Sequence, residues 1–248
     1  MKLLTVARLK KLKIYKLSEV KMDKNWKIRT DLSIEFDGHT LFRIECTQDF
    51  KEIKAGTLGG YIEKEENLDG NAWVYGDAKV YGDAWVYDNA RVSGNARVSG
   101  NARVSGNAQV SGNARVYGDA WVYGNAWVYG NARVYGDAWV CGNAWVCGDA
   151  WVCGDAKVYD NARVSGDKIT NKDDICYISN RYYNITITPL HIKIGCQYHA
   201  NEAWWNFTDE QIKKMDGESA LNFWKIWKEP LKQICDAMKK EKGEKDVE

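Results

Sequence analysis

Between Val74 and Val164 a valine stands at every sixth position without a slip, sixteen in all. Two residues before each valine lies an alanine, from Ala72 to Ala162, and before that alanine comes Asn or Asp. Glycine precedes the polar residue in nearly every unit, with Asp88 and Asp160 as the exceptions. The unit is Gly-[Asn/Asp]-Ala-x-Val-x, and Leu68 and Ile62 carry the valine register back toward Gly59. Two apolar positions flanking one variable residue describe a strand of about four residues, with Ala and Val on one face and the variable residues on the other. The Gly-Asn or Gly-Asp pair describes a corner, because these residues accept left-handed backbone angles at low cost. A period of six fits neither a helix nor a coiled coil. Three strand-and-corner units then close one coil of a triangular prism, about 18 residues per coil and ~4.8 Å of rise.

With Val74 paired to Ala78 and Val80 to Ala84, the unit resembles that of the hexapeptide-repeat left-handed β-helix proteins: an aliphatic position with a small residue four later. The resemblance implies an all-β solenoid, a left-handed parallel β-helix of about 5–6 coils. It implies little about function, since the family includes acyltransferases, γ-class carbonic anhydrases and non-catalytic members. The flanks resemble those of uncharacterised hexapeptide-repeat proteins of phages and prophages. The organisation predicted is a basic N-terminal extension (1–24), an N-terminal β cap (25–58), the β-helix (59–166) and a small C-terminal α+β module (167–248).

Taking every third unit sorts the outward residues onto three faces. The first carries Trp73, Arg91, Gln109, Trp127, Trp145 and Arg163; the third carries Trp85, Arg103, Trp121, Trp139 and Lys157. The second carries Lys79, Arg97, Arg115 and Arg133 before Trp151, with Tyr81, Ser99, Tyr117, Tyr135 and Cys153 in the neighbouring column. Four cations stacked at one-coil spacing repel one another. Solvent and salt, cation–π contact with the tyrosines, or a bound anion would offset that. Lys79, Arg97, Arg115, Arg133, Tyr81, Tyr117 and Tyr135 are therefore the candidate ligand-binding set, guanidinium forks beside stacking platforms. The competing reading is a solvated surface copied by repeat duplication. Rows of outward Trp predict a homo-oligomer, a trimer favoured, or else rings stacked flat along the prism. Asn71, Asn89, Asn107, Asn125, Asn143 and Asn161 form one uniform edge, whose amides can hydrogen-bond from coil to coil.

The flanks read more simply. Ser33–Phe36, Asp37-Gly38 and Leu41–Ile44 predict a hairpin that covers the open end of the solenoid. Ile175–Ile178, Asn184–Thr188 and His191–Ile194 alternate like strands. Thr208 with Gln211 forms a capping box, followed by an apolar stripe of Leu221, Trp224, Trp227, Leu231, Ile234 and Met238 that Pro230 is expected to kink or divide. The stripe packs either on this module or on a partner subunit. Cys196, His199 and nearby His191 are the only local group suited to nucleophilic or metal chemistry, and no third orienting group is evident. Arg181, His191, His199 and Trp204 mark an alternative C-terminal site.

Bulk composition removes several function classes. A net charge of +1 gives no polyelectrolyte signal, so nucleic acid is a disfavoured partner. Seven Cys form no paired framework, and Cys141, Cys147 and Cys153 fall on three different faces, so a disulfide or zinc site within one chain is excluded there. No apolar run reaches membrane-span length and the opening run is too short for a secretory signal, so no membrane partner and a cytoplasmic setting in a bacterial host are expected. The only histidines are His39, His191 and His199, all outside the repeat. An acyltransferase base or a three-His zinc site therefore has no residues in the prism. The expectation is a non-enzymatic, oligomeric protein without cofactor or metal that sequesters an anionic, nucleotide-like small molecule. An acyltransferase-like enzyme using His191 or His199, and a structural assembly subunit, stay open beside it.

Overall fold

The computed structural model describes residues 24–245, with side chains to residue 239. All but Lys24 of the basic N-terminal extension lies outside the described residues. The chain forms a β-solenoid of about six turns, with parallel strands on three faces. Each valine pairs with the valine 18 positions on, as Val98 does with Val116 and Val116 with Val134. All sixteen valines of the repeat and their alanines are essentially solvent-free and form one continuous core.

The corners behave as their residues demand. The glycine of each repeat holds φ between +60° and +74°, and Asp88 and Asp160 adopt the same region at +60° and +54°. Space is short as well as conformation: a Cβ on Gly106 would meet the backbone N and O of Gly124 at 3.0 Å. Regular strand pairing covers two residues in most units, for example Arg115–Val116, instead of the four expected. The alanine is drawn into the corner, because its N–H turns back to the carbonyl three residues earlier, as Ala108 does to Ser105 (3.3 Å). Asparagine amides link coils along the edges, with Asn107 donating to Asn125 (3.0 Å) and Asn125 to Asn143 (3.1 Å).

The N-terminal hairpin joins β1 (Trp26–Phe36) to β2 (His39–Cys46) through Asp37 and Gly38, both at positive φ. Strand β2 pairs antiparallel with β3 (Leu58–Ile62), which pairs parallel with Lys79–Val80. The hairpin thus extends the second face, the basic one, and buries Trp26 and Ile44 over the first coil. One outward tryptophan is covered by this cap. Trp73 is buried beneath Phe50 at 5.6 Å between ring centroids, so the first face begins with a packed ring and not an exposed one.

At the other end Lys168–Ile169 adds a last rung beside Trp151–Val152. A four-stranded antiparallel sheet follows, Cys176–Ile178, Ile185–Ile187, His191–Ile194 and Gln197–Ala200, paired in that order. The last of these strands was not apparent in the residue pattern. Two helices, α1 (Asn201–Asn206) and α2 (Asp209–Lys245), cover one face of the sheet. The capping box forms in both directions: Thr208 N–H donates to Gln211 Oε1 (2.9 Å) and Gln211 N–H to Thr208 Oγ1 (3.3 Å). The apolar stripe packs on this module, with Leu221, Trp224 and Leu231 buried against Ile185, Ile187 and Ile192. Pro230 does not divide α2; the break falls at Asp216 and Gly217, where Gly217 takes φ +62°. An Asp-Gly pair is a turn signal in its own right, and a positive φ cannot continue a right-handed helix. No helix among the described residues is long and apolar enough to cross a membrane.

Candidate functional site

On the first and third faces the aromatic and basic residues satisfy one another along the prism axis. Trp121 and Trp139 stack at 5.5 Å and 8° between planes, with Arg103 lying 4.9 Å over Trp121 and Lys157 4.8 Å over Trp139. Trp127 and Trp145 stack at 5.1 Å and 3°, with Arg163 3.8 Å over Trp145. Stacked rings present edges to solvent and faces to each other, and cations closing a stack gain quadrupole attraction. Arg91 on the first face pairs with Glu52 at 2.9 Å. On these two faces each described cation thus has a ring or a carboxylate against it.

The second face differs. The hairpin covers the lower end of the expected basic strip: Lys79 lies 5.0 Å over Phe36 and 5.5 Å over Tyr61. Burial there pushes the Lys79 ammonium below its ordinary pKa. Tyr81 is buried, donating to Asp37 Oδ2 (3.2 Å) and packing on Phe36 and His39. Tyr81 is thus withdrawn from solvent, while Lys79 is half-buried against the hairpin rings. Above them Arg97 is drawn down over Phe36 (4.7 Å) and Arg133 is drawn up over Trp151 (4.7 Å). Arg115 sits between them in register with both. Among the cations on the prism faces that the structure describes, Arg115 is the one with neither a carboxylate nor a ring against it.

Beside Arg115 and Arg133 the rings of Tyr117 and Tyr135 stack at 4.9 Å and 4°. The Tyr135 hydroxyl is pushed up to about 12, first by its hydrogen bond with Cys153 and then by burial. The other side of Tyr117 looks along the column to Ser99, where the repeat has a hydroxyl in place of a ring. The geometry thus gathers three guanidinium groups, one of them unpartnered, a tyrosine platform open on one side and a small polar residue next to it. Such a surface recognises anionic oxygens and planar rings.

The C-terminal residues do not form one site. His191 and His199 face opposite sides of the sheet. His191 Nδ1 lies 2.9 Å from Asp167 Oδ2 and its ring stacks on Tyr198 at 4.7 Å. Asp167 is buried and also accepts from the Leu190 N–H (3.1 Å) and the Tyr198 hydroxyl (3.0 Å). The Tyr198 hydroxyl also reaches the Ser165 carbonyl. Burial and the Asp167 charge hold that phenol far above its ordinary range. This network ties the last coil to the sheet, and no hydroxyl or thiol among the described residues hydrogen-bonds His191 Nε2. Asp167 is the orienting partner that the pattern around Cys196 and His199 had not revealed. It follows the last corner glycine and reads in the sequence as one more Gly-Asp corner.

His199 packs edge-on against Trp204 (5.3 Å) and Phe207 (5.0 Å), and burial lowers its pKa. Its Nε2 meets Gln197 Oε1 at 3.2 Å, and Cys196 is exposed and bonded elsewhere, so Cys196 and His199 form no dyad. Arg181 lies apart, on a groove with Tyr182 and Trp227. Among the described residues no group of three or more His, Cys, Asp or Glu could hold a metal ion.

Residues 84–98, 96–110, 108–124 and 126–142 match the YdcK Beta solenoid repeat family. The match supports a β-solenoid repeat and lies wholly within the prism, including the coils that carry Arg97, Arg115 and Arg133. Among curated proteins, none matches this chain.

Proposed function

We propose that this is a non-enzymatic binding protein that holds an anionic, nucleotide-like small molecule on Arg97, Arg115 and Arg133 beside Tyr117 and Tyr135. The observation that carries the reading is Arg115: every other described cation on the prism faces has a ring or carboxylate against it, and this one does not. Phosphate oxygens would take charge-assisted hydrogen bonds from the guanidinium groups, and a base laid on Tyr117 above Ser99 would stack without any bond being broken. The resemblance of the flanks to phage-encoded proteins fits sequestration of a host signalling nucleotide in the bacterial cytoplasm. The outward tryptophans Trp85, Trp127 and Trp139, each more than a third exposed, fit a homo-oligomer, with a trimer favoured.

The test is to incubate the full chain with a nucleotide mixture, remove unbound material, denature the protein and identify what is released. An intact nucleotide, lost when Arg97, Arg115 and Arg133 are replaced by Ala, is the expected result. Chemically altered product would point instead to an enzyme. No nucleotide and no change in melting temperature would overturn the proposal and leave the assembly-subunit reading.

A further inference from the structure

A second concavity, unconnected with the basic strip, opens between the C-terminal sheet and α2. It encloses about 230 Å³ and is walled by Tyr183, Trp204, Phe223 and Trp224, with Cys196 and Asp216 among its few polar residues. No Lys, Arg or His lines it. The rings are fixed against each other, Tyr183 edge-on to Phe223 at 4.9 Å and Trp204 tilted on Trp224 at 5.4 Å. Trp204 is also anchored by its indole N–H to the Ile192 carbonyl (2.8 Å).

The helix break places the single carboxylate. Gly217 at φ +62° ends the first segment of α2, and Asp216 just before it leaves helical geometry at the rim of the cavity. Asp216 Oδ2 accepts the Tyr183 hydroxyl at 2.7 Å, while Oδ1 has no protein partner among the described residues. That bond, after burial, helps push the Tyr183 phenol up to about 12, so the phenol stays a neutral donor. Lys213, one turn earlier, is committed to Glu218.

Several aromatic faces around one carboxylate, with no lining cation, form a field that attracts positive charge. We propose that this cavity binds a compact organic cation, an aryl-alkyl ammonium, with the ammonium at Asp216 and the apolar body between the rings of Trp204, Phe223 and Trp224. The charge preference is opposite to that of the basic strip, so the two sites are independent and would not compete for one ligand.

The experiment uses the full chain, phenethylammonium as probe and 2-phenylethanol as its uncharged counterpart. Binding is followed by tryptophan fluorescence and by protection of Cys196, which lines the cavity and is exposed, against alkylation mapped by peptide mass. Phenethylammonium is expected to bind at least about tenfold tighter than the alcohol and to slow Cys196 alkylation. Asp216→Asn should bring the two affinities together without weakening the alcohol. Equal affinities in the native protein would show a merely apolar cavity, and failure of either probe to protect Cys196 at millimolar concentration would show no site; both overturn the proposal. If Asp216→Asn fails to fold, the charged and neutral pair in the native protein still decides the matter, with Tyr183→Phe as the milder variant.

Discussion

Replacing Arg115 with Gln makes the basic strip declare its purpose, because the same change should raise stability and abolish binding. Gln is already the occupant of the equivalent position in one unit, Gln109, so the repeat tolerates its shape. Adjacent rungs are ~4.8 Å apart, at which two unit charges in water repel by ~0.9 kcal/mol before screening. Arg115 has such a neighbour on each side, although Arg97 and Arg133 lean away toward Phe36 and Trp151. Two repulsions at a Debye length of ~30 Å, near 0.01 M salt, sum to roughly 1–1.5 kcal/mol; at 1 M, where that length is ~3 Å, about 0.3 kcal/mol survives. Arg115→Gln should therefore stabilise the unliganded protein by about 1 kcal/mol at low salt and by a few tenths at high salt. Urea unfolding at the two salt concentrations measures this. Pyrophosphate at about 100 times its dissociation constant would add ~2.7 kcal/mol to the native protein, seen as a rise in melting temperature. The Gln variant should show little or no rise. A variant less stable than the native protein at both salts, or one that keeps the full response to pyrophosphate, would refute the reasoning.

Other expectations follow from particular contacts. Gly106→Ala combines a left-handed backbone with a Cβ 3.0 Å from the next coil and should cost about 2–4 kcal/mol. Gly106→Asp should cost less, because Asp88 one coil below holds the same φ and accepts the Gly106 N–H at 3.1 Å; comparing urea midpoints of the two variants decides. Asn125→Ala removes two inter-coil amide bonds on an exposed edge and should cost about 1 kcal/mol, measurable by the same unfolding curves. His199 has a lowered pKa in the folded chain, so above the unfolded value of about 6.5 it contributes no pH dependence. Below that value the unfolded chain binds a proton that the folded chain resists, and stability falls as pH drops toward the folded pKa. His199→Gln should flatten the stability profile between about pH 7 and 5, and an unchanged slope would show that the acid sensitivity lies elsewhere.

The repeat was legible because its information is local and redundant. A branched valine every six residues, with glycine where φ must be positive, leaves the chain few ways to fold, and each unit restates the choice of the last. The three faces, the stacking of Asn on Asn and the alignment of Arg97, Arg115 and Arg133 all follow from counting by eighteen. The capping box at Thr208 is local in the same sense and formed as read. What the residues alone could not determine was which of these aligned groups would be left without a partner. That depended on the hairpin folding over Lys79 and Tyr81, on Phe36 and Trp151 drawing neighbouring guanidinium groups away from Arg115, and on Asp167 crossing to His191 instead of making one more corner. The helix break that brings Asp216 to an aromatic cavity also needed the sheet on which α2 rests. Strand rhythm is set by neighbours along the chain, whereas a site is set by side chains that meet across it, and only the folded chain fixes those distances.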